Sequence, residues 1–134
     1  MGPHVLYCDG ASRGNPGRAS YGFALLDASG APVVEVGEAI GTATNNDAEY
    51  AGLVAGLEAA LDAGVREIEV RLDSQLLVRQ VVGEYRVKAP NLKPMHRRAV
   101  SLLTRFDRAR IVHVPREQNT RADSLANAAL DGTL

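Results

Sequence analysis

The chain has 134 residues, 46% of them hydrophobic, which suits one domain with its own core and excludes a disordered tail. Fifteen basic against sixteen acidic residues leave a net charge of −1, so a general polyanion sponge is excluded as well. No apolar run approaches the ~20 residues of a membrane helix. The start, Met1-Gly2-Pro3-His4, carries no leader pattern, and the lone Cys8 cannot form an internal disulfide, so a cytoplasmic setting is expected.

His4–Cys8 reads as a first strand closed by Asp9, and Gly10-Ala11-Ser12-Arg13-Gly14-Asn15-Pro16-Gly17 as a turn. Residues 19–28 and 32–40 predict two hairpin strands joined at Ser29-Gly30. A helix is expected from Asp47 to Ala63, striped with Tyr50, Leu53, Val54, Leu57 and Leu61, with Gly64 as its C-cap. Glu67–Asp73 alternates cleanly and sets Ile68, Val70 and Leu72 on one face. Ser74 then caps a short helix whose Val78, Val81, Val82 and Tyr85 face inward. Gly83–Asn91 is basic and irregular. Met95, Ala99, Leu102, Leu103 and Phe106 space out another helix, which tolerates Pro94 in its first turn. Arg110–Val114 is a last strand stopped by Pro115, and Thr120–Leu130 a last helix.

Three leading strands followed by strand–helix alternation predict an α/β fold over residues 1–134, one domain with a five-stranded mixed sheet. Its first three strands run antiparallel, the later ones run parallel, and helices cover both faces. Chemistry in such sheets gathers at the carboxyl ends of the parallel strands. Asp9 and Asp73 close strands at that end, and Glu49 and Asp123 sit in the first turns of helices that start there. Each acid has a local reading too. Asn46-Asp47-Ala48-Glu49 and Thr120-Arg121-Ala122-Asp123 resemble capping boxes, while Asp9 before Gly10 and Asp73 before Ser74 are ordinary turn acids. Together, acids from separate segments at one sheet edge stack negative charge that a cation must neutralise. Oxygen-only ligands around an open site suit Mg²⁺ or Mn²⁺. Charge is also uneven along the chain: residues 1–78 carry a net −7 and residues 79–121 a net +8. That is a polyanion footprint beside a carboxylate-rich site.

Asp9-Gly10-Ala11-Ser12-Arg13-Gly14-Asn15-Pro16-Gly17, Thr44-Asn45-Asn46-Asp47-Ala48-Glu49, Asp73-Ser74-Gln75 and Pro115-Arg116-Glu117-Gln118-Asn119-Thr120-Arg121-Ala122-Asp123 together resemble type 1 ribonuclease H. The match runs in order along essentially the whole chain, and the last motif is similar to the compact archaeal and actinobacterial branch. The resemblance implies a ribonuclease H-like sheet and hydrolysis of RNA in RNA–DNA hybrids, giving 5′-phosphate and 3′-hydroxyl ends. It implies two Mg²⁺ ions about 4 Å apart, with Mn²⁺ as a substitute. Asp9 would bridge both metals, Glu49 and Asp73 would hold the leaving-group metal, and Asp123 the nucleophile-side metal. Glu49 would also meet a ribose 2′-OH, the group that marks RNA. Gly10, Asn15, Asn45, Asn46 and Gln75 match substrate contacts, and Thr44 and Asn91 match parts of a phosphate pocket for the DNA strand. For Asn15 the local alternative is a turn before Pro16, and for Asn45 and Asn46 a helix cap.

The chain departs from the family pattern in three places. Thr42 stands where an Arg often serves the phosphate pocket. No tryptophan-bearing basic protrusion is present, since only Gly83–Asn91 spans that gap. Arg116 stands where many members carry a mobile-loop His. An Arg stays charged throughout the working range and cannot trade a proton, so a catalytic Arg116 would act electrostatically; the alternative is a turn residue paired with Glu117. His113 and His4 read as strand residues, His96 as a surface helix residue, and Cys8 as a buried strand residue. A monomer with no protein partner and no membrane contact is expected. The competing class, a module that holds hybrid or double-stranded RNA without cutting, predicts a missing acid, and none is missing. An integrase-like or exonuclease domain would lack the Asn15 and Asn45 contacts.

Overall fold

In the second strand, β2 (Gly17–Leu26), alternate residues differ in size: Ser20, Gly22 and Ala24 against Tyr21, Phe23 and Leu25. Successive side chains leave a strand on opposite faces, so this pattern prepares one thin face and one thick one. In the computed structural model, which describes residues 2–133, both faces are covered. Phe23 and Leu25 enter the main core with Leu6, Cys8, Ile68, Val70 and Leu72. The other face receives the last helix, α4 (Thr120–Asp131). A Cβ on Gly22 would lie 2.3 Å from the Ala122 carbonyl oxygen and 2.7 Å from the Ala126 nitrogen. Ser20 Oγ donates to the Ala126 carbonyl at 2.5 Å, so the buried hydroxyl is satisfied.

The sheet order is β3-β2-β1-β4-β5. β1 (His4–Gly14) pairs antiparallel with β2 and parallel with β4 (Glu67–Leu72). β3 (Pro32–Ala43) closes one edge antiparallel to β2, and β5 (Arg108–His113) closes the other parallel to β4. The thick face carries α1 (Asn45–Asp62) with α3 (Lys93–Leu103) against it. α2 (Gln75–Val81) follows β4 directly. Five strands, mixed direction and helices on both faces are as the sequence predicts.

Boundaries differ in instructive ways. β1 continues five residues past Asp9, because Gly10 to Gly14 pair with Gly17 to Tyr21 of β2. The expected long turn shrinks to Asn15-Pro16. α1 starts at Asn45, and its capping box is Thr44 with Asp47, whose backbone and side chain bond reciprocally. Glu49 therefore lies in the second turn and is no cap. The C-cap is Ala63, and Gly64 follows it at φ +81°, a left-handed conformation that glycine adopts without strain. α4 has no side-chain capping bond, so its expected capping box is absent too. α2 stops at Val81, and Val82 and Tyr85 are exposed rather than inward. Their place is taken by Leu77 and Gln80.

Gln80 and His96 form a polar link that apolar periodicity does not reveal. Tyr50 is fully buried, and its hydroxyl donates to Gln80 Oε1 at 2.7 Å, tying α1 to α2. His96 is half-buried rather than at the surface, with Nε2 2.9 Å from the Gln80 carbonyl. Removing the hydroxyl leaves a buried amide oxygen unpaired. Tyr50→Phe is therefore expected to lower stability by about 1–2 kcal/mol with an unchanged urea m-value. Denaturation within a few tenths of a kcal/mol of wild type would remove the link from the account.

Candidate active site

Parallel pairing between β1 and β4 ends at Cys8↔Leu72, so Asp9 and Asp73 emerge as neighbours one residue later. Glu49 reaches them because α1 lies unusually close on β1. Gly10 makes that possible, since a Cβ there would sit 2.4 Å from the Glu49 nitrogen. Along α1, Gly52 and Gly56 continue the close approach, over Asp9 and over Leu6 and Cys8 respectively. α4 brings Asp123 from the thin face, beneath which Asp9 pairs with Gly22. The four acids come together at one sheet edge.

Their electrostatics show how closely. Asp9 is 7% exposed, and burial, then the charges of Asp73, Asp123 and Glu49, push its carboxyl up to about 8. Burial and Asp73 raise Glu49 to about 7, against an opposing hydrogen bond from Ser74 and the Arg116 charge. Among the described residues, none of the four acids is held in an ion pair. Among the described residues, no three His, Cys, Asp or Glu side chains stand in an arrangement ready to hold a metal ion, so the acids would have to draw together around one. Carboxylates that raise each other's proton affinity, with no cation between them, are a donor set that fits hard divalent ions. Direct bonds fix some of the geometry. Gly10 N–H donates to Asp9 Oδ1 at 3.0 Å, and Asn119 Nδ2 donates to Asp73 Oδ2 at 3.0 Å. Asn127, one turn after Asp123, donates to its Oδ1 at 3.3 Å and to its carbonyl at 3.0 Å.

Two clefts flank the acids. The first, about 460 Å³, is lined by Asn15, Thr44, Asn45, Asn46, Glu49 and Asn91 together with Ala89 and Leu92. Asn15, Thr44, Asn45, Asn46 and Asn91 of the expected substrate contacts thus meet in one place, with one acid in its wall, while Gly10 and Gln75 lie outside it. Within it Asn15 Oδ1 accepts from Asn45 N–H at 3.0 Å, and Asn91 Nδ2 donates to Asp47 Oδ1 at 2.7 Å. Thr44 Oγ1 is committed to the cap of α1. The second cleft, about 330 Å³, is lined by Gly10, Ala11, Ser12, Asn45, Arg116, Asp123 and Asn127. Arg116 stands exposed on a one-turn helix (Arg116–Gln118), and His113 is exposed at the end of β5. Gln75 opens α2, is exposed, and lines neither cleft. Cys8 is buried, and burial pushes its thiol up, so it is chemically inert. Asn119 and Asn127 escaped residue-by-residue reading, whereas Ser74 caps α2 as expected and also bonds to Glu49. The spacing of Asp123 and Asn127 is the one local signal that points to either asparagine.

Fold and site together define a class: a mixed-sheet α/β protein with oxygen-ligand chemistry at the carboxyl edge of its parallel strands. A family model described as reverse transcriptase-like matches residues 7–129. The chain is 54% identical over 125 residues to ribonuclease HI of Halobacterium salinarum, spanning 93% of this chain and 63% of that protein. The crystal structure of that archaeal enzyme superposes with a TM-score of 0.94 at 52% identity, covering 98% and 99% of the two chains. A bifunctional protein of Mycobacterium tuberculosis is 47% identical over 95% of this chain, which spans only 35% of its length. A ribonuclease H1 crystallised with an RNA/DNA hybrid superposes at 0.91 and 41% identity over 96% and 97% of the chains. The chain belongs to the type 1 ribonuclease H family, whose members depend on divalent metal.

Proposed function

We propose that this chain hydrolyses the RNA strand of RNA–DNA hybrids, leaving 5′-phosphate and 3′-hydroxyl ends. The observation that carries this reading is the convergence of Asp9, Glu49, Asp73 and Asp123, unpaired, beside the Asn15–Asn91 cleft. The solved relative bound to an RNA/DNA hybrid supports the same substrate. Asp9, Glu49, Asp73 and Asp123 would hold two Mg²⁺ ions, with Mn²⁺ as a substitute. When bound, such a pair neutralises charge on both the attacking and the leaving oxygen of an in-line displacement. Asn15, Asn45 and Asn46 offer short amides to minor-groove atoms without reading sequence, and the Glu49 carboxylate meets a ribose 2′-OH. Thr44 and Asn91 border the place of a DNA phosphate. Gly10 and Gln75 complete the substrate contacts. The domain over residues 1–134 acts in this reading as a monomer in the cytoplasm.

The test is labelled RNA–DNA hybrid, single-stranded RNA and duplex DNA, each with and without Mg²⁺. Cleavage of the hybrid alone, dependent on Mg²⁺, is expected; cutting of duplex DNA would overturn the assignment. A single ribonucleotide inside duplex DNA is expected to be a poor substrate, because the family resemblance implies a need for several consecutive ribonucleotides. Efficient cleavage at that junction would contradict this substrate choice.

Arg116 shares a cleft with Asp123 and bears on the charge of Glu49. In this reading its fixed cation steadies charge on the scissile phosphate. Arg116→Ala is expected to lower kcat roughly 10- to 100-fold, and Arg116→Lys to recover part of the loss. Because an arginine does not titrate in this range, the pH–rate profile lacks a histidine step near 6.5. A wild-type kcat in Arg116→Ala would return the residue to a solvated turn.

A further inference from the structure

Asn119 touches three of the four acid-bearing segments at once. It is fully buried, between the one-turn helix and α4. Its side-chain nitrogen donates to the Cys8 carbonyl, the one just before Asp9, at 2.8 Å. The same nitrogen donates to Asp73 Oδ2 at 3.0 Å. Its backbone carbonyl accepts from the Asp123 N–H at 3.1 Å. An amide nitrogen has two hydrogens, so both side-chain acceptors are served. Chemistry fixes this orientation, because the flipped amide would set oxygen against a carbonyl and a carboxylate.

That arrangement carries a cost. In this orientation Asn119 Oδ1 is buried without a hydrogen-bond partner, a desolvation penalty that an apolar residue would avoid. An asparagine at a helix N-cap ordinarily turns its side chain to the free N–H groups of the first turn. Here no such bond is made. The side chain has left the local task for which its position suits it, and has been turned to the acids instead.

We propose that Asn119 is a positioning residue of the acid cluster, holding the Asp73 carboxylate in place and registering the Asp9 segment against α4. It touches no substrate and acts through the acids. The inference rests on the reading of those acids as a divalent-metal site. Partners of this kind orient ligand side chains, and their loss commonly weakens metal binding or activity by about 10- to 100-fold.

The experiment compares wild type, Asn119→Ala, Asn119→Ser, Asn119→Asp and Asp73→Asn. Calorimetry with Mn²⁺ on the folded protein without nucleic acid is read beside kcat and KM on hybrid. Asn119→Ala is expected to weaken Mn²⁺ binding about 10-fold and to lower kcat about 10- to 100-fold, with KM for hybrid within about twofold. Asn119→Ser keeps a short donor and falls between; it stands in if the alanine variant does not fold. Asn119→Asp has the same shape but sets an acceptor against Cys8 O and a charge against Asp73. Its kcat is expected to be no higher than that of Asn119→Ala, whereas a purely space-filling role predicts near-wild-type turnover. Wild-type Mn²⁺ affinity and kcat per folded molecule in the alanine or serine variant, or wild-type kcat in Asn119→Asp, would overturn the proposal. If Asp73→Asn itself leaves Mn²⁺ binding intact, the metal-site reading fails first and takes this inference with it.

Discussion

Asp9→Asn is expected to melt at a higher temperature than wild type in EDTA at pH 8, while cleaving hybrid roughly 10³-fold or more slowly. Both effects come from one crowded carboxyl. Burial and three neighbouring acids raise Asp9 from the ordinary 3.8 to about 8. Between those values the folded protein keeps a proton that the unfolded chain has released, so metal-free stability falls as pH rises from about 4 to 8. Glu49, raised from 4.5 to about 7, adds to the same slope. The amide is the same size and carries no charge, so it removes the Asp9 share of the penalty. A gain on the order of 2 kcal/mol, or roughly 5–10 °C, is expected at pH 8 and little at pH 4. Mg²⁺ should raise the melting temperature of wild type at pH 8 more than that of Asp9→Asn, because a ligand of the native state stabilises by mass action. Thermal scans at both pH values with EDTA or Mg²⁺ check this. A flat metal-free stability from pH 4 to 8, or wild-type turnover in the variant, would remove Asp9 from the centre of the site.

Gly10→Ala should be nearly as damaging for a different reason. The added methyl would fall 2.4 Å from the Glu49 nitrogen, 2.5 Å from the Ala48 carbonyl carbon and 2.8 Å from the Glu49 Cα. All three are helix backbone, which cannot swing aside as a side chain does. The start of α1 must lift from β1, and Glu49 moves with it away from Asp9. Overpacking of this kind costs about 1–3 kcal/mol, and a shift near 1 Å at a reacting centre costs about 10²-fold in rate. Turnover per folded molecule, measured well below the melting point, is therefore expected to fall much further than stability alone explains. Gly56→Ala is the control. Its methyl would meet Leu6 Cδ atoms at 3.0 Å and Cys8 Sγ at 3.2 Å, side-chain atoms that can give way without lifting the start of α1. Alanine also favours a helix over glycine by about 1 kcal/mol, so Gly56→Ala should be near neutral in both readouts. Equal activity in the two variants would mean that the close packing at Gly10 does not set Glu49.

Much of this was legible in local pattern. The alternation of Glu67–Asp73 placed Ile68, Val70 and Leu72 in the core, where all three are buried. The order of strands and helices determines which ends share an edge, and so brings the acids to one end of the sheet. Thr44, Asn45, Asn46 and Glu49 followed because they lie at the start of one helix, and Asn15 and Asn91 meet them there. Those features depend on residues near in sequence, or on handedness rules that all chains obey.

Other features depend on what lies opposite, and sequence pattern does not carry that. Gly10 to Gly14 have turn composition, yet they extend β1 because β2 supplies their hydrogen-bond partners. Gly10 and Gly22 are points where a helix backbone nearly touches a strand, which no local pattern announces. Asn119 stands at a helix start, where its side-chain oxygen would ordinarily accept from the first turn, but the amide is turned so that its nitrogen donates to the Cys8 carbonyl and the Asp73 carboxylate. The proton affinities of Asp9 and Glu49 belong to the assembled edge and to neither residue alone. The sequence alone determined the element order, the core face of β4 and which acids share the edge. Only the tertiary structure decided how near they stand and what holds them there, because desolvation, charge repulsion and backbone contact all act across segments distant in the chain.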